Sequence, residues 1–187
     1  MRLFLALELA PATAEEIHAA VAPLQDSAPG LAWVPAHKLH LTLKFLGDAD
    51  ESRVAALGDV TARLAAGHRP FELTLGGIGA FPNFRRPRVV WLGVEGEPRL
   101  ELLHHDVEVA AADLGYELEG RPYRPHVTLA RVREPLTADR ARVLARAARA
   151  VSYSATVVVD RLTLFDSATG GSGVHYRRVH AATLGGV

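Results

Sequence analysis

Two stretches of this 187-residue chain repeat the pattern His-x-Thr inside an apolar strand, and this repeat constrains the fold more than any other feature. The first runs from His40 to Gly47 and the second from His126 to Arg131. Successive side chains of a strand point to opposite faces, so each histidine shares a face with the threonine two residues later. One such pair is commonly a core histidine bonded to its neighbour. Two at equivalent points of a repeat cost stability that packing alone does not require, so they indicate a functional site.

The segments around the two patterns follow the same order of elements. Each runs through a His-x-Thr strand, a helix, a strand, a polar or glycine-rich loop and another strand, over about 39–94 and 123–180. A duplicated unit normally packs about a pseudo-twofold axis, which would bring the equivalent strands together across a cleft. We therefore predict an α+β fold in a single domain spanning 1–187. It is bilobal, with two pseudo-symmetric halves, antiparallel sheets around a central cleft and helices on the outside.

Capping residues and turn residues divide the rest of the chain. A capping box at Thr13 predicts one helix, and a second is predicted to be capped by Asp48 or Asp50 and to end at Gly67. Two more are predicted from Pro98 to Gly115 and after Thr137. The remaining strands are predicted over 71–75, 88–94, 154–165 and 174–180. The glycine-rich stretch 76–87 and the polar stretch 166–173 are predicted to be loops, the second a flexible turn.

Composition excludes several classes of protein. Twenty-one basic residues balance 21 acidic ones, so a long nucleic-acid track is disfavoured and an anionic ligand must meet a local basic patch. The absence of cysteine excludes disulfides, thiolate zinc sites and cysteine nucleophiles. The apolar run at the N-terminus is interrupted by Glu8 and is too short for a signal peptide, and no stretch is long enough to span a membrane. We expect a soluble, cytoplasmic monomer with no membrane association and no protein partner.

The paired motifs resemble those of a known superfamily. His40-Leu41-Thr42-Leu43 and His126-Val127-Thr128-Leu129, with the strand 2–7 before them and 164–167 after, are similar to the 2H phosphoesterases. Within that superfamily the chain most resembles the LigT-type RNA 2',3'-cyclic phosphodiesterases, also described as 2'-5' RNA ligases. The resemblance implies hydrolysis of RNA 2',3'-cyclic phosphate ends to 2'-phosphates, without a metal or cofactor.

The motif residues suit this chemistry. Two histidines that titrate near neutral pH can supply a general acid and a general base without a metal. The hydroxyls of Thr42 and Thr128 can donate hydrogen bonds to the non-bridging phosphoryl oxygens. The resemblance implies that His40 protonates the 3' oxygen and that His126 activates water, whereas spacing alone leaves the two roles open.

The family resemblance and strand alternation predict different faces for the residues that bind substrate. The resemblance implies that Phe45 and Arg131, each five residues after a motif histidine, enclose a nucleobase by stacking and cation-π contact. Period-two alternation instead places both on the core face and Lys44 on the histidine face. We expect Lys44 and Arg124 to attract the phosphate or flanking backbone.

Two other functions remain open at this stage. One is a related phosphodiesterase acting on small cyclic nucleotides, which a comparison of RNA oligomers with mononucleotides would distinguish. The other is a non-catalytic module that binds RNA ends, which detection of a 2'-phosphate product would exclude. The loop 84–88 mixes aromatic and basic residues, as contacts with single-stranded RNA often do, but it is also typical of a solvated hairpin.

Overall fold

The computed structural model describes residues 1–170 and 173–185, and in that part of the chain it contains nine strands and five α-helices. The predicted α+β class with antiparallel strands is confirmed. In chain order the elements are β1 (Arg2–Glu8), α1 (Pro11–Ala20), α2 (Ala22–Ser27), β2 (Ala32–Trp33), β3 (His40–Asp48), α3 (Glu51–Gly67), β4 (Phe71–Phe81), β5 (Val89–Val94), α4 (Pro98–Asp113), β6 (His126–Arg131), α5 (Ala138–Ala150), β7 (Ser154–Val159), β8 (Arg161–Gly170) and β9 (Gly173–Thr183).

The strands form one sheet with the two His-x-Thr strands at its centre. The order is β7-β4-β5-β6-β3-β1-β8-β9, and β2 pairs with β6. β3 and β6 are joined through the antiparallel pair Leu41 and Val127, with β2 lying beside Ala130 and Arg131 further along β6. Outward from β6 lie β5, β4 and β7, and outward from β3 lie β1, β8 and β9. These two groups of three strands are the two flanks of the sheet.

The two flanks are not the two sequence repeats. The β4-β5 hairpin of the first repeat pairs with β6 of the second, and β8-β9 of the second repeat lies on the side of β3. The chain passes from one flank to the other at Asp160. The strand before it, β7, pairs with β4, and the strand after it, β8, pairs with β1. The sequence had suggested one continuous strand over 154–165.

A single hydrophobic core lies between one face of the sheet and the helices. Every second residue of β1 points into it, as do the apolar stripes of the helices: Leu3, Leu5, Leu7, Ile17, Leu57, Leu100, Leu103 and Leu144 are almost fully buried. The opposite face of β1 joins a small aromatic cluster of Phe4, Ala6 and Phe165, against which Tyr176 packs. None of the helices in the described part of the chain is long and apolar enough to cross a membrane.

Two predicted loops are largely strand. β4 continues through the glycine-rich stretch to Phe81, because glycine is needed there for close approach rather than for a turn: a Cβ on Gly79 would lie 2.1 Å from the Trp91 ring. The polar stretch 166–173 is strand up to Gly170 and again from Gly173, and the predicted turn at 171–172 lies outside the described residues. At the N-terminus, Ala10 and Pro11 begin α1, so Thr13 is not its cap.

Candidate active site

The four motif residues lie on one face of the sheet centre. Leu41 and Val127 are opposite each other and point into the core, where they are 1% and 0% exposed. Their neighbours therefore point to the other face, and the antiparallel register sets His40 beside Thr128 and Thr42 beside His126. The pseudo-twofold axis thus passes through this strand pair.

Both motif strands contain a bulge at the same point of the repeat. In β3 the partners of Ala6 and Leu5 on β1 are Thr42 and Lys44, so Leu43 is an extra residue. In β6 the partners of Trp91 and Val90 on β5 are Thr128 and Ala130, so Leu129 is extra. A bulge reverses the alternation of the residues that follow it.

Because of the bulges, the residues after them lie on the opposite face from the one that period-two alternation predicts. Phe45 is 67% exposed and lies on the histidine face, with its ring centroid 6.0 Å from that of Phe4, and Arg131 is also exposed. Alternation had placed both in the core, which is wrong, whereas the resemblance had placed both at the site. Ala130, which strict alternation along β6 would place on the face of His126, is instead fully buried.

Lys44 is not at the site. The bulge turns its side chain into the core, where the ammonium donates to both carboxylate oxygens of Glu108, at 2.9 and 2.8 Å, and to the Glu117 carbonyl oxygen at 2.9 Å. Glu108 also accepts a hydrogen bond from the Glu119 backbone N–H. The expectation that Lys44 meets the phosphate is therefore wrong, and its role is to hold the segment 117–119 against α4.

The two histidines are held in the same way. The Nδ1 atom of His40 lies 2.7 Å from the Lys38 carbonyl oxygen, and that of His126 lies 2.7 Å from the Arg124 carbonyl oxygen. A carbonyl only accepts, so Nδ1 carries the proton in both rings and Nε2 is left to exchange protons with a ligand. Both imidazoles can therefore act as either acid or base.

The environment favours neutral imidazoles when the site is empty. Burial lowers the pKa of His40, and the positive charges of Arg131 and His126 act in the same direction against the hydrogen bond to Lys38. Burial also lowers the pKa of His126, again with a contribution from Arg131. The Arg131 guanidinium therefore acts on both rings, and an anionic ligand between them would oppose its effect.

Aromatic side chains surround each histidine. Phe4 and Tyr176 lie beside His40, with ring centroids at 5.0 and 5.2 Å, and Phe165 lies at 6.0 Å. Phe81 meets His126 edge-on at 4.9 Å. Phe81 and Phe165 each therefore contact the histidine of the other repeat.

Trp91 completes the wall around His126, with its ring 6.4 Å away. Its place opposite Thr128 on the adjacent strand puts it on the site face. Arg124 is exposed and its guanidinium lies 5.9 Å from the Phe81 ring centroid, so it remains available to a ligand beside His126. Phe45 and Arg131 lie on opposite sides of the histidine pair, since their strands run antiparallel.

One residue breaks the symmetry between the histidines. On β1 the cross-strand neighbour of His40 is Glu8, whereas on β5 the neighbour of His126 is Gly93. A Cβ on Gly93 would lie 2.6 Å from the Gly76 carbonyl oxygen, so this position cannot carry a side chain without a backbone shift. Only His40 therefore has a carboxylate beside it on the adjacent outer strand.

The Glu8 carboxylate is held by two partners. It accepts hydrogen bonds from the Thr163 hydroxyl and, through two nitrogens, from Arg178, with Nε at 2.9 Å. Burial acts to raise the pKa of Glu8, but these hydrogen bonds outweigh it and the pKa is lowered. The negative charge acts to raise the pKa of His40 and favours its protonated form.

The fold and site together define a two-histidine phosphoesterase arrangement, with paired His-x-Thr strands at the centre of an antiparallel sheet. The family model of the 2'-5' RNA ligase superfamily matches residues 10–171. The chain belongs to this superfamily, and the resemblance seen in the two motifs is confirmed.

Individual relatives agree with the family. An RNA 2',3'-cyclic phosphodiesterase of Methanothermobacter thermautotrophicus is 34% identical over 75% of this chain and 76% of its own length. One from Geobacillus stearothermophilus is 38% identical over 68% of this chain, a match that spans 41% of that longer protein. The crystal structure of Escherichia coli LigT complexed with 3'-AMP superposes with a TM-score of 0.75 at 28% identity, covering 98% of this chain and 97% of that one.

Proposed function

We propose that this chain opens RNA 2',3'-cyclic phosphate ends to 2'-phosphates by a metal-independent mechanism, in which His40 is the general acid and His126 the general base. The class of enzyme, RNA 2',3'-cyclic phosphodiesterase, follows from its family and its curated relatives. The mechanism rests on one observation above all. Two imidazoles with the same tautomer present Nε2 to one face, on strands joined at a pseudo-twofold axis.

The proposed reaction is an in-line displacement at phosphorus. His126 Nε2 takes a proton from water as the water oxygen bonds to phosphorus. The bond from phosphorus to the 3' oxygen breaks, and His40 Nε2 gives its proton to that oxygen. The product carries a 2'-phosphate and a free 3'-hydroxyl, and proton exchange with solvent restores both rings.

The carboxylate of Glu8 supports the assignment of His40 as the acid and His126 as the base. A general acid must start protonated, and Glu8 favours the charged form of His40 while His126 has glycine at the equivalent position. An incoming phosphate would add further negative charge between the rings and raise both pKa values toward the working range.

Other side chains would hold the substrate. Thr42 and Thr128 can donate hydroxyl hydrogen bonds to the non-bridging oxygens as charge builds on them. Phe45 offers an exposed ring on which a nucleobase can stack, and Arg131 offers positive charge on the other side of the histidine pair. Arg124 offers a second positive charge beside His126. An RNA substrate would also place the enzyme in the cytoplasm.

Removal of either imidazole tests the mechanism. His40→Ala and His126→Ala should each lower turnover of a 2',3'-cyclic nucleotide roughly 10²–10⁴-fold without changing the circular dichroism spectrum. His105→Ala is the matched control, since that histidine is exposed on α4. Near-normal turnover in either site variant would overturn the acid and base assignment. Loss of wild-type activity on addition of a chelator would overturn metal independence.

A further inference from the structure

A cavity of about 570 Å³ opens directly beside His40. Its lining residues come from β1, the start of α1, the segment before β3, and the facing parts of β8 and β9. Apart from histidines, its acidic and basic lining residues are Glu8, Glu15, Lys38 and Arg178. This volume lies within the usual range of ligand pockets, roughly 300–1,000 Å³, so the cavity can hold a nucleoside with its phosphate.

Two cationic side chains line this cavity. Lys38 donates one hydrogen bond to the Val174 carbonyl oxygen at 2.7 Å, which ties the entrance of β3 to β9. An ammonium group has three N–H donors, so Lys38 can keep this bond and still bind an anion. The side chain is thus anchored at the cavity wall, which lowers the entropy lost when a ligand binds it.

Arg178 is fixed by the carboxylate of Glu8. Glu8 receives hydrogen bonds from Nε and Nη2 of the guanidinium, whose side chain is nevertheless 61% exposed. A guanidinium has five N–H donors in a rigid plane, so the pair with Glu8 leaves donors for a phosphate. This fixed orientation suits recognition of a phosphodiester oxygen.

The chemistry of the reaction directs the RNA chain toward this cavity. In an in-line displacement, the attacking water and the leaving oxygen lie on opposite sides of phosphorus. The leaving 3' oxygen remains attached to the ribose, so the ribose lies on the side of the general acid. With His40 as the acid, the rest of the RNA continues from the ribose on the side where the cavity opens.

We propose that the cavity binds the penultimate nucleotide of the RNA, with the phosphodiester that links it to the terminal nucleotide held by Lys38 and Arg178. The inference rests on the proposed function. It makes RNA ending in a cyclic phosphate, rather than a cyclic mononucleotide, the preferred substrate of the site.

The test compares two substrates on the full chain. These are adenosine 2',3'-cyclic phosphate and the dinucleotide ApA ending in a 2',3'-cyclic phosphate. We expect the wild-type kcat/KM to be at least about tenfold higher for the dinucleotide than for the mononucleotide. Lys38→Ala should reduce the ratio of these two kcat/KM values about tenfold. Arg149→Ala removes a basic residue from the last turn of α5 and should leave the ratio unchanged.

A neutral substrate isolates the charge that the proposal requires. Replacing the internucleotide phosphate of ApA with a methylphosphonate should lower the wild-type ratio, and this replacement should have a smaller effect in Lys38→Ala, where Arg178 alone remains to hold the phosphate. Lys38→Glu, as a second variant, should reduce the ratio more than Lys38→Ala does.

Equal rates on both substrates in the wild type, or an unchanged ratio in both Lys38 variants, would overturn the subsite. A failure of the proposed function would look different, because the wild type would then hydrolyse neither substrate.

Discussion

The buried ion pair of Lys44 and Glu108 offers a quantitative test of the bulge in β3. The side chains of this pair are 5% and 10% exposed, and the ammonium makes three hydrogen bonds, two of them to the carboxylate. Lys44→Met removes the cation and leaves the carboxylate in the core, where a backbone N–H from Glu119 remains within hydrogen-bond distance. Breaking a buried pair in this way typically costs about 3–5 kcal/mol.

Denaturant unfolding and thermal melting would measure this loss. For a domain of this size, a change of this magnitude corresponds to a fall in Tm of about 10 °C. The double variant Lys44→Met with Glu108→Leu should recover most of the stability, because it removes the unpaired charge as well. It should also retain turnover, since neither residue lies at the site.

An exposed pair at the same distance provides the control. Arg142 and Asp139 on α5 lie 2.8 Å apart but are 75% and 88% exposed, so Arg142→Ala should change stability by less than about 0.5 kcal/mol. If Lys44→Met costs no more than this control, the Lys44 side chain is solvated. The bulge would then not direct it into the core.

Four further predictions concern the site and the residues around it. The C2 protons of His40 and His126 in nuclear magnetic resonance should titrate below 6.5 in the free protein and shift upward when inorganic phosphate binds; unshifted values with bound phosphate would contradict an anion between the rings. Because the unfolded chain binds these protons at higher pH than the folded one, the stability that the two histidines contribute is complete above about pH 6.5 and decreases as pH falls through their lowered folded pKa values. Gly79→Ala should displace Trp91, lower stability by about 1–3 kcal/mol and reduce turnover, whereas Gly30→Ala, with open space around it, should do neither. Glu8→Gln should lower the pKa of His40 while leaving that of His126 unchanged, and equal shifts in both would remove the proposed source of asymmetry.

The sequence predicted the elements that follow simple periodicity and capping. Thr137 caps α5 as expected, and Asp50, one of the two candidates, caps α3; each accepts a hydrogen bond from a backbone N–H at the start of its helix. The four motif residues were placed on one face because alternation holds up to the bulge. Beyond it, alternation gave the wrong face for Lys44 and Phe45.

A signal for the bulge was present in the sequence. Leu43 and Leu46 are both apolar although they are three residues apart, which strict alternation does not allow, and the structure buries both. No comparable signal in the sequence indicated that β7 and β8 belong to different flanks. Only one residue, Asp160, separates the two strands, so they looked like one continuous strand. The glycines of β4 were taken for a loop because their partners on β5, Trp91 and Gly93, come close only in the folded sheet.

The central claim is that two histidines open the cyclic phosphate with protonation of the 3' oxygen and without a metal. Phosphorus nuclear magnetic resonance of the product from a chelator-treated reaction on RNA ending in a 2',3'-cyclic phosphate tests it most directly. We expect a single product, the 2'-phosphate, that is lost in His40→Ala and in His126→Ala. A 3'-phosphate product, or the same product formed at an undiminished rate by either variant, would contradict it.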